Sequence, residues 1–218
     1  MKQWFLDVHP TLGLAGSAVI LVCILVAMSV YRGKNGERFS IWRHFVSELG
    51  EVGVSRFAWV FNAGLIIGGF LFFLMMPGVG LSLNSLWGYL ATISGMIAAI
   101  GCLFVGVYPM NNIKPHIKAA MTYFRAGLAT VILFSIAILA QDQNERIIPL
   151  YALFVSGVGI ISYASFLFNL GKSLKQRESN ALDTSTIQER PRFWLMPLLE
   201  WMVVIFTILW FLIISVAR

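Results

Sequence analysis

Arg125 and Glu200 are charged side chains set inside otherwise uncharged apolar runs. An ionisable group in hydrocarbon costs roughly 3 kcal/mol or more unless it is paired, snorkelled or wetted, so each marks a candidate site. Arg125 stands eight residues past Ile117, and Glu200 seven past Phe193. At 1.5 Å per residue they lie about 12 Å and about 10 Å deep, entering from one side. Matching depth predicts an ion pair bridging the fourth and sixth helices. Two other readings remain open: Arg125 snorkelling to the headgroups beside Lys118, or both residues binding a ligand. Helical phase adds a condition. If the fourth helix runs unbroken from His116, Tyr123 shares its face, whereas Arg125 points nearly opposite at 100° per residue.

A wider set of polar residues occupies the same half of the chain's apolar runs and their connections: His44, Ser47, Glu48, Glu51, Asn62, Tyr108, Asn111, Asn112, His116 and Asn169. Polar groups facing lipid would go unsatisfied, so these predict a wet pocket at one end of the spans. His116 and Glu48 are the candidate catalytic acid/base pair. Arg125, Glu200, His44, Ser47, Asn62 and Tyr108 are the candidate ligand-binding residues. His44 and Glu48 stand at i, i+4, and with His116 they could supply a zinc or iron site, although no HExxH is present; no cofactor is favoured. Ser47 beside a histidine could also serve as a nucleophile. No Lys occupies a span centre for a Schiff base, no His pair faces across the mid-membrane for haem, and no GxxxxGK[ST] or GxGxxG motif supports nucleotide binding.

The elements that must hold these residues follow from composition. The 218 residues are 58% hydrophobic and 12% charged, with a mean hydropathy of +0.80. A soluble domain carries about 25% charged residues, so this chain has too little polar surface to coat a globule. Apolar runs of membrane length lie at 12–31, 57–76, 86–108, 117–140, 147–170 and 193–217. The expectation is an all-α, polytopic transmembrane six-helix bundle forming one integral membrane domain over 1–218. The first run is too long and wrongly flanked for a cleavable signal peptide. Between the first two runs, Phe39, Trp42, Phe45, Val46 and Leu49 recur at helical spacing and predict a short interfacial helix over 39–49. Pro77–Ser85 and Gln141–Arg146 read as short outer connections, and 171–192 as a flexible, solvated loop. Small residues four apart (Gly64 and Gly68, Gly95 and Ala99, Cys102 and Gly106) predict close helix contacts.

Charge distribution sets the orientation. Twelve of the sixteen Lys and Arg residues flank the odd-numbered connections, three lie on the opposite side, and Arg125 is within a span. The positive-inside rule then puts the odd connections in the cytoplasm and both termini outside. The net charge of +6 therefore orients the chain in a membrane and does not predict a nucleic-acid partner.

The stretches FSIWRHFVSELGEVG, VFNAGLIIGG and GCLFVGVYPMNNIKPHIKAAMTYF resemble domain of unknown function 998, a family of six-span prokaryotic membrane proteins. The residues carrying the likeness are Ser47, Leu49 and Gly50, then Phe61, Asn62 and Gly64, then Gly106, Tyr108, Pro109 and His116, within about residues 10–140. The last two spans match in hydropathy only. The order of Ser47, Glu48, Asn62 and His116 also looks like the Frag/DRAM/Sfk membrane family, and that likeness implies a lipid substrate or ligand.

The combined expectation is an inner-membrane protein whose cytoplasmic-leaflet pocket binds or modifies a membrane lipid or other amphiphile. Arg125 would meet an anionic headgroup, beside His116 and Glu48. The alternatives are a non-enzymatic assembly factor or sensor subunit, with a homo-oligomer or another membrane protein as partner, and a small-solute transporter.

Overall fold

The computed structural model describes residues 1–142, 146–179 and 191–216, the stretch 174–179 by its helical backbone alone. The elements are α1 (Lys2–Ser29), a 3-10 helix (Val46–Gly50), α2 (Ala58–Leu83), α3 (Leu86–Val107), α4 (Ile113–Leu139), α5 (Ala152–Ser179) and α6 (Leu195–Val216). Six helices are long and apolar enough to cross a membrane, and there is no strand among the described residues. The chain is an all-helical, multi-pass membrane protein.

Each helix packs against its sequence neighbours, and α6 returns to α1, closing the circuit. Small residues let the backbones approach, because packing rather than hydrophobicity drives helix association in lipid. A Cβ on Gly69 would stand 2.8 Å from Leu103 N and 2.9 Å from Ala99 O of α3. One on Gly101 would stand 2.6 Å from Tyr123 N of α4. Gly64 and Gly68 face Cys23 and Ile20 of α1 in the same manner.

Several boundaries differ from the expectation. α1 begins at Lys2 rather than near Leu12 and runs through Pro10. Proline leaves the carbonyl four residues back without its amide partner, here Leu6. The His9 imidazole replaces that partner, with Nδ1 2.9 Å from Leu6 O. α2 likewise runs through Pro77 to Leu83, so the Gly-rich stretch expected as a connection is helix. The turn is only Asn84, left-handed at φ 42°, and Ser85, whose hydroxyl accepts from Gly88 N–H at 3.1 Å. Between α4 and α5 the Gln141 side chain donates to Ile138 O and Ile148 O and accepts from Ile147 N–H. The expected solvated loop is shorter at its start, since α5 continues to Ser179; residues 180–190 lie outside the described residues.

The expected interfacial helix over 39–49 is replaced by a turn at 41–43 and the 3-10 helix. The reason lies in the residues read as its polar face. His44 Nδ1 accepts from Ser40 N–H at 3.1 Å, and Glu48 Oε1 accepts from Phe45 N–H at 2.9 Å. Such local side-chain bonds compete with a helical ladder for the same amides. The segment is buried rather than interfacial: His44, Val46, Glu48 and Leu49 are each below 5% exposed.

Gly101→Val is expected to push α3 from α4 and cost about 1–3 kcal/mol, the usual penalty of overpacking. Gly157→Ala, with nothing within 4 Å of the added Cβ, is expected to be tolerated. Thermal melting in detergent compares the two.

Candidate functional site

The strap between α1 and α2 closes one end of the bundle, and α6 holds it. Val46 N–H donates to Glu200 Oε2 at 2.6 Å, and the Ser47 amide and hydroxyl lie against the same carboxylate. One residue on, Trp201 Nε1 donates to His44 O at 3.3 Å. Before α6 begins, Trp194 N–H donates to Trp42 O at 2.9 Å. From α2, Asn62 Nδ2 donates to Gly50 O at 3.1 Å. Asn111 brackets Val52, accepting from its N–H at 2.7 Å and donating to its carbonyl at 2.8 Å. A non-helical backbone inside a bundle requires such partners, because no water can replace them there.

Below the strap lies a cavity of about 100 Å³, where a single water would need ~10–15 Å³. Glu200, His116 and Ser47 line it at the strap end, and Phe72, Thr130 and Phe211 at the far end. From Glu200 to Phe211 along α6 is roughly 16 Å at 1.5 Å per residue. The walls between are mainly apolar, among them Phe61, Leu65, Ala99, Ala120 and Ile208. Stacking of Phe72 on Phe211, with centroids 3.7 Å apart, joins α2 to α6 at the closed end.

His116 Nδ1 is 2.7 Å from Tyr108 O. A carbonyl only accepts, so Nδ1 carries the proton and Nε2 is left with its lone pair. α4 runs unbroken from Ile113, and His116 and Tyr123 both line the cavity. Midway along it, Tyr163 Oη is 2.8 Å from Thr207 Oγ1, and Tyr123 Oη is 3.4 Å from the same oxygen. Tyr163, Thr207 and Thr130 escaped the sequence reading. The available signal was a hydroxyl or phenol in mid-span, where such groups bond across helices.

The expected Arg125–Glu200 pair does not form. Arg125 lies on the exposed face of α4, while Glu200 is buried at 7% exposure and turned to the strap amide. Among the described residues the ion pairs are Lys34–Glu51 at 2.8 Å and His44–Glu37 at 3.6 Å. Arg125 therefore lies outside the cavity. The other expected ligand-binding residues divide. Glu200 and Ser47 line the cavity, Asn62 braces the strap, and Tyr108 contributes its carbonyl while its ring stacks on Phe104.

His44 is set into an aromatic cage, its ring centroid 5.4 Å from that of Tyr31 and 5.2 Å from that of Phe39. Glu48 serves the Phe45 amide, so the expected acid/base pairing of His116 with Glu48 does not hold: only His116 of the two lines the cavity. Nor do His44, Glu48 and His116 converge on a metal; among the described residues no three His, Cys, Asp or Glu side chains come together. Outside the spans, burial pushes the Glu37 carboxyl up. Hydrogen bonds from the Glu37 and Asn35 amides and from His44 outweigh that and hold it below its ordinary value.

Residues 14–217 match the family described as protein of unknown function (DUF998). The chain belongs to the DUF998 family. The match includes α5 and α6, which in sequence had been related to the family by hydropathy alone. No curated protein and no solved structure matches the chain.

Glu200→Leu is expected to strand the Val46 amide and cost about 1–3 kcal/mol, the penalty for a buried donor left unsatisfied. Arg125→Gln should leave the melting temperature unchanged. Exchanging the two charges should give no rescue, and a restored melting temperature would reveal a pair after all.

Proposed function

We propose that this protein binds a single-chain membrane amphiphile, with its head beneath the strap and its tail along the cavity. The observation that carries this reading is the shape and chemistry of one space: long, mainly apolar along its length, with its ionisable carboxylate and imidazole at the strap end. Ligand sites are commonly apolar clefts with a few placed polar groups that fix orientation. The head would meet Glu200, His116 and Ser47. Arg125 has no part in it, which removes the anionic headgroup expected from sequence. His116 Nε2 is the group available for acid/base chemistry if the bound molecule is modified.

The same reading places the strap end in the cytoplasmic leaflet. The connections at that end carry most of the Lys and Arg residues, and such connections stay in the cytoplasm.

Native mass spectrometry of the full chain released from nanodiscs tests the ligand. An adduct of amphiphile mass is expected, and Ala120→Phe, which fills the cavity, should reduce its occupancy about tenfold. No adduct, or one that persists in the filled variant, refutes the reading. A reporter fused after Arg218 should be active outside the cell, and a cytoplasmic signal would reverse the orientation.

A further inference from the structure

Most protons of the cavity wall are already committed. The Thr130 and Thr207 hydroxyls lie 2.7 Å from the carbonyls of Ala126 and Val203 and donate to them. With its one proton used, Thr207 Oγ1 can only accept, so the Tyr163 O–H donates to it. The Tyr123 O–H has only long partners, Thr207 at 3.4 Å and the Tyr163 oxygen at 3.5 Å. Trp210 Nε1 donates to Ser156 Oγ at 3.1 Å. At the strap end, His116 Nδ1–H goes to Tyr108 O, and the Val46 amide goes to Glu200. The Cys102 thiol, a weak donor, points to Leu65 O at 3.9 Å.

What remains are acceptors: the Glu200 carboxylate, the His116 Nε2 lone pair and the phenol oxygens of Tyr123 and Tyr163. Among the described residues no Lys or Arg side chain lines the cavity and no cation forms an ion pair with Glu200. A phosphate or carboxylate head would meet no cation there and a carboxylate opposing it, whereas a head rich in N–H bonds would satisfy the acceptors.

Building on the amphiphile reading, we infer that the head of the bound molecule is a protonated primary amine, with Glu200 as its counter-ion and His116 Nε2 as a second acceptor. The hydrocarbon tail runs past Tyr123 and Tyr163 toward Phe72 and Phe211. The ammonium group supplies the positive charge that Arg125 was expected to bring to Glu200.

Three amphiphiles of equal chain length separate the possibilities: dodecylamine, dodecanol and dodecanoate, each titrated against the full chain in a nonionic detergent and counted as adducts by native mass spectrometry. The amine is expected to bind about tenfold tighter than the alcohol, and the carboxylate weakest. Glu200→Gln should abolish the advantage of the amine while leaving the alcohol within about twofold. The ranking is measured on the unaltered chain, so it decides the matter even if that variant fails to fold. Carboxylate binding equal to or tighter than the amine overturns the headgroup assignment and leaves the amphiphile reading standing. Binding of none of the three overturns both.

Discussion

A stretch of non-helical backbone can rest inside an apolar bundle only if its amides and carbonyls find partners within the protein, and the bond from Val46 N–H to Glu200 meets that condition in the buried part of the strap. The remaining bonds of the strap follow from it. Trp201 takes the His44 carbonyl, Asn62 the Gly50 carbonyl and Asn111 both polar groups of Val52. Residues spread from 62 to 201 therefore converge on a segment of about ten residues. A carboxylate in a span is costly in isolation, yet here it receives backbone amides and a hydroxyl, the form in which a buried acid is tolerated.

The circuit of helices and the strap together account for the cavity. Glycines on α2 and α3 bring neighbouring backbones close at the perimeter, so the side chains that fill the middle come from large residues. At the end away from the strap those residues fit, with Phe72 stacked on Phe211 and Trp210 against Phe134. Toward the strap the wall includes Ala98, Ala99 and Ala120, which are too small to meet across the centre. The space they leave is closed above by the strap. The polar groups that reach it are tied to the strap, to carbonyls of the protein or to one another, as Tyr163 is to Thr207.

Much of this was legible in the residues. Six apolar runs, the small-residue contacts and the family likeness follow from composition and local spacing, and those properties survive any arrangement of the helices. The polar residues of one half of the chain do gather at one end. The strap was misread because Phe39, Trp42, Phe45 and Val46 have helical spacing, while periodicity is blind to side chains that take the backbone's own hydrogen bonds. His44 and Glu48 did so. The stretch from Pro77 misled in the opposite sense: it reads as a connection, but α2 passes through Pro77, as α1 does through Pro10.

From the sequence alone one obtains the number of crossings, the side that carries the basic charge and the faces of each helix, because hydropathy, charge and the 3.6-residue period are local properties. The phase of α4 already set His116 and Tyr123 against Arg125. The partner of Glu200 was decided only by tertiary structure. Depth along a helix is one coordinate, and two residues at equal depth meet only if their helices also turn the right faces to each other. In the bundle Tyr123, two residues before Arg125, meets Thr207, seven residues past Glu200, so Arg125 and Glu200 share neither level nor face; the carboxylate found a backbone amide 154 residues away in the chain, and the guanidinium remained outside.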